Sequence, residues 1–498
     1  MKKDIPLEIL NIAEKLVFAG FKAYLVGGCV RDLVFGKKPK DWDVATNALP
    51  SEVQKIFPES VYENKFGTVA VKTESLDESV RLVEVTTFRI EGKYKDKRHP
   101  DDIKFAKTIE EDLSRRDFTI NSLAIEIKKR VSQKDEILNA EKLAFIDLYG
   151  GQKDVQAKLV RCVGNPNERF NEDALRLIRA IRFSVELNFD IEKITSEAIK
   201  KNAKLLNYIA KERIRDEFIR ILKSENAGKG IRMLEDLGLL EHIVPELREG
   251  INCLQNKHHI YTVWDHNIKS LEYTVSKNYS LEIRLAALLH DLGKPKTKRG
   301  EGENATFYGH EVVGAKMVFS VLKRLNFPNT IIEKVVLLVR YHLFYYNVGD
   351  VTEAGVRRFI KRVGGENIED LIKVREADRI GSGVPKAVPY KLRHLLYMIE
   401  KVKRDPVSPK MLAIDGSDIM RIAKLTPGPK VGTLLAILLE EVLDEPSKNT
   451  KDILTKRVEE LSTLSPEELF KLESSAENRK EEFEKGIEED MKEKFYVK

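Results

Sequence analysis

The chain has 498 residues and a mass of 57.0 kDa, a length that favours roughly three domains. Hydrophobic residues make up 42% and charged residues 33%, which is typical of a folded protein with a strongly charged surface. No apolar run reaches the ~18 residues of a membrane span. The opening MKKDIPLEIL lacks a signal-peptide core, and three scattered cysteines are too few for a disulfide scaffold. We therefore expect a cytoplasmic protein with no membrane partner.

The net charge of +6 is unevenly distributed. From Ser465 onward eleven acidic residues outnumber seven basic ones, so the rest of the chain is more basic than the total indicates. Lys and Arg neutralise phosphates, so a basic body permits a polyanionic partner.

The N-terminal part mixes helix and strand patterns. Apolar spacing predicts helices over 6–19 and 29–35. Strands are predicted in four segments: 22–26, 42–45, 67–72 and 80–87. The strict alternation around Glu84 suits a sheet with one buried face. We therefore predict an α+β fold that begins with a small mixed sheet backed by helices.

From about residue 159 to the end the spacing is mostly helical. Helices are predicted over 171–185, 195–207, 212–222 and 227–237, with a further helical block over 261–380. The pattern Ser-Pro-Glu-Glu at Ser465 is a helix start, with a capping serine and a proline at the first helical position. A charged C-terminal helix is therefore expected over 465–498.

Two aspartates stand out in the segment LVGGCVRDLVFGKKPKDWDVAT. Asp41 and Asp43 are two apart on a predicted strand, so both side chains point to the same face. Glu84 lies on another predicted strand. Three carboxylates on one face repel one another unless cations lie between them, and Mg²⁺ prefers oxygen ligands. Two such ions activate a hydroxyl nucleophile and stabilise a leaving pyrophosphate.

A glycine pair precedes these aspartates, where a predicted strand meets a helix. The backbone N–H groups of Gly27 and Gly28 can approach a phosphate there, and Arg31 can donate to phosphate oxygens. Taken singly, the aspartate pattern also occurs in solvated loops and the glycine pair in plain turns. Their combination in this order is much more specific.

The order of these motifs resembles the nucleotidyltransferase superfamily, and within it the class II tRNA nucleotidyltransferases and bacterial poly(A) polymerases. The stretch EDLSRRDFTINSLA resembles the family's second motif, which contacts the triphosphate and ribose. The resemblance assigns nucleotide binding to four residues: Arg115, Arg116, Asp117 and Asn121. The segment 88–105 resembles the family's flexible loop, with His99 where the family more often has a second arginine.

The stretch ERFNEDALRLIRAIRF resembles the family's nucleotide-recognition motif. Asp173 and Arg176 are three apart on a predicted helix and share a face. Cytosine and adenine both present an amino donor beside a ring-nitrogen acceptor, whereas guanine and uracil present the reverse order. An accepting carboxylate beside a donating guanidinium therefore selects C and A without a template. The alternative is an intrahelical ion pair worth ~0.2–0.5 kcal/mol.

Neighbouring charges on this helix fit the ion-pair alternative better. These are Glu172, Arg179 and Arg182, although Arg179 stays among the nucleotide-binding candidates. The stretch ERIRDEF resembles a later family motif. We expect it to support the helix through ion pairs of Glu212 and Arg213.

A set of histidines follows. HHIYTVWDH contains His258, His259 and His266, and LAALLHDLGKP contains adjacent His290 and Asp291; His310, His342 and Asp378 come later. The set resembles the HD metal-dependent phosphohydrolase domain. Its minimal ligand set is matched in order by four residues: His266, His290, Asp291 and Asp378. A divalent metal is expected there; the alternative is a decayed domain whose histidines are buried polar relics.

The segment 412–446 resembles the RNA-binding body of class II enzymes that carry an HD domain. Amides at Val431 and Gly432 could meet an RNA phosphate, or form a plain helix–turn–helix. The predicted domains are a nucleotidyltransferase head, a helical nucleotide-recognition neck, an HD-type domain, a helical tRNA-binding body and the charged helix. Their boundaries are 1–155, 156–250, 251–390, 391–464 and 465–498.

Together the resemblance implies CCA addition: C, C and A are added to the tRNA 3′ end from CTP and ATP, and pyrophosphate is released. Asp41 and Asp43 would hold two Mg²⁺, with Glu84 assisting. The alternatives are a poly(A) polymerase, an enzyme that adds only A, and an HD phosphohydrolase. An RNA-binding module without activity is disfavoured by the intact carboxylates. The segment 88–105 argues against an enzyme that adds only CC.

Overall fold

In a computed structural model, the described residues are 5–62, 67–91, 103–128, 144–256, 260–344, 346–349, 351–403, 412–474 and 495–496. They form two compact units. One comprises Met1–Leu343 with Asp370–Pro385, and the other comprises Phe344–Glu369 with Lys386–Lys498. Within the described ranges, no helix is long and apolar enough to cross a membrane.

Nearly all strands lie in the N-terminal region. They are β1 (Ala23–Val26), β2 (Asp43–Thr46), β3 (Ser60–Tyr62), β4 (Thr68–Lys72), β5 (Leu82–Thr87), β6 (Arg89–Glu91), β7 (Ile103–Phe105), β8 (Ala124–Glu126), β9 (Phe145–Ile146), β10 (Leu159–Val160) and β11 (Asp190–Ile191). The helices of this region are α1 (Leu7–Phe18), α2 (Gly28–Phe35), α3 (Pro50–Ile56), α4 (Glu78–Arg81), α5 (Ile109–Ser114) and α6 (Gly151–Ala157).

The rest of the described chain is helical. The first unit continues with α7 (Pro166–Glu172), α8 (Leu175–Leu187), α9 (Lys193–Asn202), α10 (Lys211–Lys223), α11 (Ala227–Asp236), α12 (Leu240–Ile243), α13 (Pro245–Arg248), α14 (Val263–Ser276), α15 (Leu281–Leu289), α16 (Lys294–Thr297), α17 (His310–Arg324) and α18 (Asn329–Tyr341). Then follow α19 (Glu353–Val363), α20 (Ile368–Gly381), α21 (Tyr390–Lys403), α22 (Gly416–Ala423), α23 (Pro429–Asp444) and α24 (Lys451–Ser462). The predicted α+β architecture is therefore confirmed.

Seven strands form one mixed sheet in the order β3-β4-β5-β2-β1-β8-β9. Strands β2 and β5 are parallel neighbours, and their register sets Asp43 opposite Glu84. Helix α5 packs onto the sheet through Ile109 and Leu113, which are buried with Tyr24 of β1. This packing fixes α5 against β1 and β2.

Two local predictions were wrong. The segment 80–87 begins as the helical turn α4, because the Asp77 side chain caps it by accepting the N–H of Ser79. Asp41 lies two residues before the start of β2, so the two aspartates do not share one strand. The prediction of a common face from strand alternation therefore does not apply to Asp41.

The helix predicted over 171–185 is broken. Helix α7 ends at Glu172, and Asp173 is extended, with φ −136° and ψ 105°. The Asp173 carboxylate accepts the N–H of Leu175 at 3.0 Å, at the start of α8. Aspartate competes for nearby backbone donors in this way and so favours helix ends over helix interiors. Asp173 and Arg176 are therefore not three apart on one continuous helix.

The C-terminal unit has its own core, formed by apolar residues of α22, α23, α24 and the helix that follows them. That last helix is described over 466–474, and its predicted start is confirmed. Ser465 and Glu468 cap each other, with the N–H of Ser465 2.9 Å from the Glu468 carboxylate. The rest of the segment predicted to form the charged helix, 475–494 and 497–498, lies outside the described residues.

Candidate active site

The residues predicted for nucleotide chemistry converge on one cavity of about 680 Å³ in the first unit. This size lies within the usual range for small-molecule sites. Its lining includes all thirteen predicted residues: Gly27, Gly28, Arg31, Asp41, Asp43, Glu84, Arg115, Arg116, Asp117, Asn121, Asp173, Arg176 and Arg179. Arg182, Phe183, Arg213 and Arg220 also line it. The cavity is thus lined by residues of β1, β2, β4 and β5, by residues of α2 and α8, and by Arg115 at the end of α5.

Three carboxylates mark one part of the cavity. Asp43 and Glu84 are paired across neighbouring parallel strands, and Asp41 lies just upstream. Burial raises the pKa of Asp43, the Arg116 guanidinium opposes this, and the Asp41 carboxylate adds to the rise. The raised pKa marks a place where negative charge is under-compensated by the protein. Carboxylate oxygens are the ligands that a hard divalent cation such as Mg²⁺ prefers.

The glycine pair lies against the phosphate-binding candidates. Gly27 has a φ of 76°, and a Cβ there would lie 2.8 Å from Nη1 of Arg116. The positive φ favours glycine, and a Cβ at this position would displace the Arg116 guanidinium. Gly28 begins α2, so its end of the helix faces the cavity. Arg31, one turn on, donates to Oδ1 of Asn121 at 2.9 Å.

A buried carboxylate behind the cavity holds two of the predicted arginines. Asp112 of α5 accepts from Arg115 at 2.8 and 3.0 Å and from Arg116 at 3.1 and 3.3 Å. Sequence reasoning missed Asp112. The spacing of three and four residues to Arg115 and Arg116 was the available signal, because it places all three on one helical side.

A second ion-pair network links the sheet region to α8. Asp117 accepts from Nε of Arg179 at 2.7 Å, and the same arginine lies 3.8 Å from Glu217 of α10. Burial would raise the pKa of Asp117, but Arg179 and Arg176 hold it below the ordinary value. Glu217 also lies 3.0 Å from Nε of Arg182. Arg179 therefore carries a structural contact in addition to lining the cavity.

Asp173 and Arg176 both line the cavity but do not pair with each other as the ion-pair alternative expected. Asp173 pairs with Nη2 of Arg213 at 2.8 Å. Arg176 donates to Glu172 at 2.6 Å and to the carbonyl of Arg115 at 3.1 Å. Arg213 thus forms the expected ion pair, and its partner Asp173 is the carboxylate predicted to recognise the base.

The histidine set forms a second buried cluster. Nε2 of His266 lies 2.9 Å from Nε2 of His290, and Asp378 Oδ1 lies 3.3 Å from the former. Asp291 Oδ2 lies 3.2 Å from His266 and 3.3 Å from His290. The four predicted ligands are therefore together.

Two histidines outside the predicted set join the cluster. His310 and His342 face each other with 3.3 Å between their Nε2 atoms, and Asp291 Oδ1 lies 3.4 Å from His310. Each donates Nδ1–H to a backbone carbonyl three residues back, at 2.8 and 2.7 Å. His290 does the same at 2.9 Å. The Nε2 lone pairs thus point inward, which is the tautomer that metal ligands adopt.

The electrostatics of the cluster fit a cation. Burial and the neighbouring His290 lower the pKa of His342 to about 3, so it is neutral and able to ligate. Burial would lower the pKa of His290 as well, but Asp291 and Asp378 raise it. The two buried carboxylates thus favour positive charge at the centre of the cluster. Lys294 adds a positive charge, 2.6 Å from Asp291.

Three predicted positions lie outside the described residues. These are His99 with most of the predicted flexible loop, His258 and His259. The described ends of that loop, β6 and β7, pair with each other as an antiparallel ribbon.

Fold and cavity together define a nucleotidyltransferase. Family models match in chain order: a poly A polymerase head domain over 23–161, a probable RNA and SrmB-binding site of polymerase A over 188–251, and an HD domain over 263–382. The chain is 32% identical to an A-adding tRNA nucleotidyltransferase of Deinococcus radiodurans, covering 84% of this chain and 91% of the relative. It is also 32% identical to a CCA-adding enzyme of Limosilactobacillus reuteri, covering 91% and 96%.

A solved structure agrees with these relatives. The Bacillus stearothermophilus CCA-adding enzyme in complex with CTP is 26% identical, with a TM-score of 0.56 over 91% of this chain and 96% of that one. The chain therefore belongs to the tRNA nucleotidyltransferase family, which includes the A-adding and CCA-adding enzymes.

Proposed function

We propose that this protein adds C, C and A to the 3′ end of tRNA from CTP and ATP, without a template, in the cytoplasm. The observation that carries the proposal is the convergence of the carboxylates, the arginines and the Asp173–Arg176 region on one cavity. Each group serves a different part of a nucleoside triphosphate. The chemistry of the cavity therefore matches a nucleotidyl transfer better than a hydrolysis.

The carboxylates would hold the metal and the arginines the phosphates. Asp41 and Asp43 would hold Mg²⁺, with Glu84 assisting on the side of the attacking hydroxyl. Mg²⁺ held there would lower the pKa of the tRNA 3′ hydroxyl and would stabilise the leaving pyrophosphate. Arg115 and Arg116 donate to the triphosphate oxygens, while the amides of the glycine pair add neutral donors.

Base selection would rest on Asp173 and Arg176. The carboxylate accepts from the exocyclic amino group of C or A, and the guanidinium donates to the adjacent ring nitrogen. Arg213 pairs with Asp173 at 2.8 Å, and Glu172 pairs with Arg176 at 2.6 Å. Both partners restrict side-chain rotation, so the pair is held in one orientation before the nucleotide arrives.

One assay tests the proposal and separates its rivals. Purified protein is given labelled tRNA that ends in its discriminator base or in CC, with each nucleoside triphosphate alone or in combination. We expect CC from CTP, A on the CC-ended tRNA from ATP, and no product from UTP or GTP. Addition of A alone indicates an A-adding enzyme, and long A tracts indicate a poly(A) polymerase. No addition to either tRNA would refute the proposal.

The buried histidine cluster favours a second candidate activity, a metal-dependent phosphohydrolase. Its specific support is the inward-facing set of six donors: His266, His290, Asp291, His310, His342 and Asp378. The test is metal analysis of the purified protein, together with hydrolysis of 2′,3′-cyclic nucleotides and phosphomonoesters at added divalent metals. Failure to bind metal would favour a decayed domain with buried polar residues.

A further inference from the structure

A carboxylate that does not line the cavity controls two arginines that do. Asp112 has a side chain that is 2% exposed, and it lies behind Arg115 and Arg116. Arg115 and Arg116 are both among the described residues of the cavity wall, and Asp112 is not. Asp112 also accepts the backbone N–H of Arg89, another lining residue, at 3.4 Å. Its side-chain partners at the cavity wall are Arg115 and Arg116, so it acts on a nucleotide through its neighbours and not by direct contact.

The hydrogen bonds fix the orientation of both guanidinium groups. Oδ1 of Asp112 accepts from Nε and Nη2 of Arg115, and Oδ2 accepts from Nε and Nη2 of Arg116. The same edge of each guanidinium thus faces the carboxylate. Nη1 of Arg116 is directed elsewhere, toward the carbonyl of Asn121 at 3.3 Å and the glycine turn at Gly27.

The carboxylate also sets the charge that a nucleotide meets. Burial would raise the pKa of Asp112, but Arg116 and Arg115 hold it below the ordinary value, so the group is ionised at neutral pH. Two arginines and one carboxylate leave one net positive charge at this wall. Without Asp112 the arginines would carry twice that charge, and each would lose the two hydrogen bonds that hold its Nε and Nη2 edge.

We propose that Asp112 is a positioning residue that orients Arg115 and Arg116 toward the phosphates of the incoming nucleotide. The inference rests on the proposed function, because it takes a nucleoside triphosphate as the ligand of this wall. It assigns triphosphate affinity to a residue that never touches the nucleotide. Base choice and tRNA binding depend on other contacts and are independent of Asp112.

The test is Asp112→Asn, which keeps the size of the side chain and removes its charge. The amide N–H₂ would face guanidinium donors, so at least one arginine loses its acceptor. We expect KM for CTP and for ATP to rise by the same factor, about tenfold or more. The inhibition constant of pyrophosphate rises in parallel. KM for tRNA and the preference for CTP over UTP stay within about twofold.

Asp154→Asn is a matched control. Asp154 is 3% exposed, lies in the same region and pairs with Nη2 of Arg161 at 2.7 Å. Neither Asp154 nor Arg161 is among the described lining residues of the cavity. This variant also removes a buried, arginine-paired carboxylate, which additionally accepts from the Thr119 hydroxyl at 2.5 Å, so it reports the effect of losing a buried charge in this region. We expect it to leave KM for both nucleotides unchanged.

These measurements test the role of Asp112 separately from the proposed function. Three results would overturn the inference while nucleotide addition stands. They are an unchanged KM for nucleotides in Asp112→Asn, a rise in KM for tRNA equal to that for nucleotides, and an equal rise in KM for nucleotides in Asp154→Asn. If the wild type adds no nucleotide, the proposed function fails. Calorimetric binding of inorganic pyrophosphate then still tests Asp112, and unchanged binding in Asp112→Asn overturns its role.

A second variant covers the case in which Asp112→Asn does not fold. Adding Arg115→Gln removes one of the two arginines that would be left without their acceptor. Compared with Arg115→Gln alone, the double variant should show a further rise in nucleotide KM, because Arg116 is released. This rise should be smaller than the one that Asp112→Asn causes in the wild-type background. No further rise would overturn the inference.

Discussion

Replacing Asp173 by Asn tests base selection with little disturbance of the fold. Asparagine caps helices about as well as aspartate, so the 3.0 Å bond to the N–H of Leu175 can persist. The ion pair with Arg213 is lost, but both side chains are partly exposed, at 18% and 32%. Such pairs contribute ~1 kcal/mol or less to stability. The thermal midpoint of unfolding should therefore change little.

The effect on nucleotides should be much larger. A hydrogen bond to a charged group is worth ~1.5–3 kcal/mol, which corresponds to about 10- to 150-fold in kcat/KM. The amide can also turn its N–H₂ toward the base and so donate to O4 of uracil or O6 of guanine. We expect kcat/KM for CTP and ATP to fall by that factor, and the preference over UTP and GTP to fall at least about tenfold.

The assay is kcat/KM for all four nucleoside triphosphates, on tRNA ending in its discriminator base and on tRNA ending in CC. Asp216→Asn is the control, because Asp216 lies on α10 near Arg213 but points outward, 62% exposed, and pairs with Arg215. It should leave all four values unchanged. Full discrimination by Asp173→Asn against UTP and GTP would refute the idea that this carboxylate reads the base.

Three further predictions concern other groups. Asp43→Ala should abolish nucleotide addition without lowering the thermal midpoint, because burial and Asp41 make its charge unfavourable; addition above a few per cent of wild type would contradict the metal role. Arg179 lowers the pKa of Asp117, so the contribution of this carboxylate to the free energy of unfolding is complete above pH ~4 and is lost as the pH falls further. Urea unfolding between pH 6 and 3 should therefore show a shallower decline in Asp117→Asn than in wild type. His290→Ala should remove bound metal, measured by elemental analysis, while nucleotide addition persists; equal loss of both would show that the two sites depend on each other.

Local patterns predicted four of the seven strands of the sheet, namely β1, β2, β4 and β5, and missed β3, β8 and β9. Strand alternation around Glu84 and the glycine pair before α2 are signals within a few residues, and the structure places both as expected. The break at Asp173 has a local cause, the bond from the N–H of Leu175, but the main ion-pair partner of this carboxylate is distant. Arg213, which pairs with this aspartate, is 40 residues further along the chain, and no local spacing reports such a contact.

The histidine cluster shows the same limit in another form. Adjacent His290 and Asp291 carry a recognisable pattern, whereas His310 and His342 stand alone in the sequence. They reach the cluster because α17 and α18 pack together and because Gly293 lets the start of α17 approach, where a Cβ would collide with the carbonyl of His310. Asp112 was missed for a different reason, since an aspartate near helical arginines reads as a surface ion pair until its burial is known.

Asp43 and Glu84 are paired across β2 and β5, so the backbone sets the distance between these two carboxylates of the proposed metal site. Neighbouring strands lie ~4.8 Å apart whatever side chains they carry, so substitutions in the surrounding core should be well tolerated. Deletions within the strands should be tolerated poorly. Deleting one residue within β5 ahead of Glu84 would turn that carboxylate to the opposite face of the sheet. In a saturation library we therefore expect single-residue deletions in β2 and β5 to be far more damaging than deletions in the turn that joins β4 to α4.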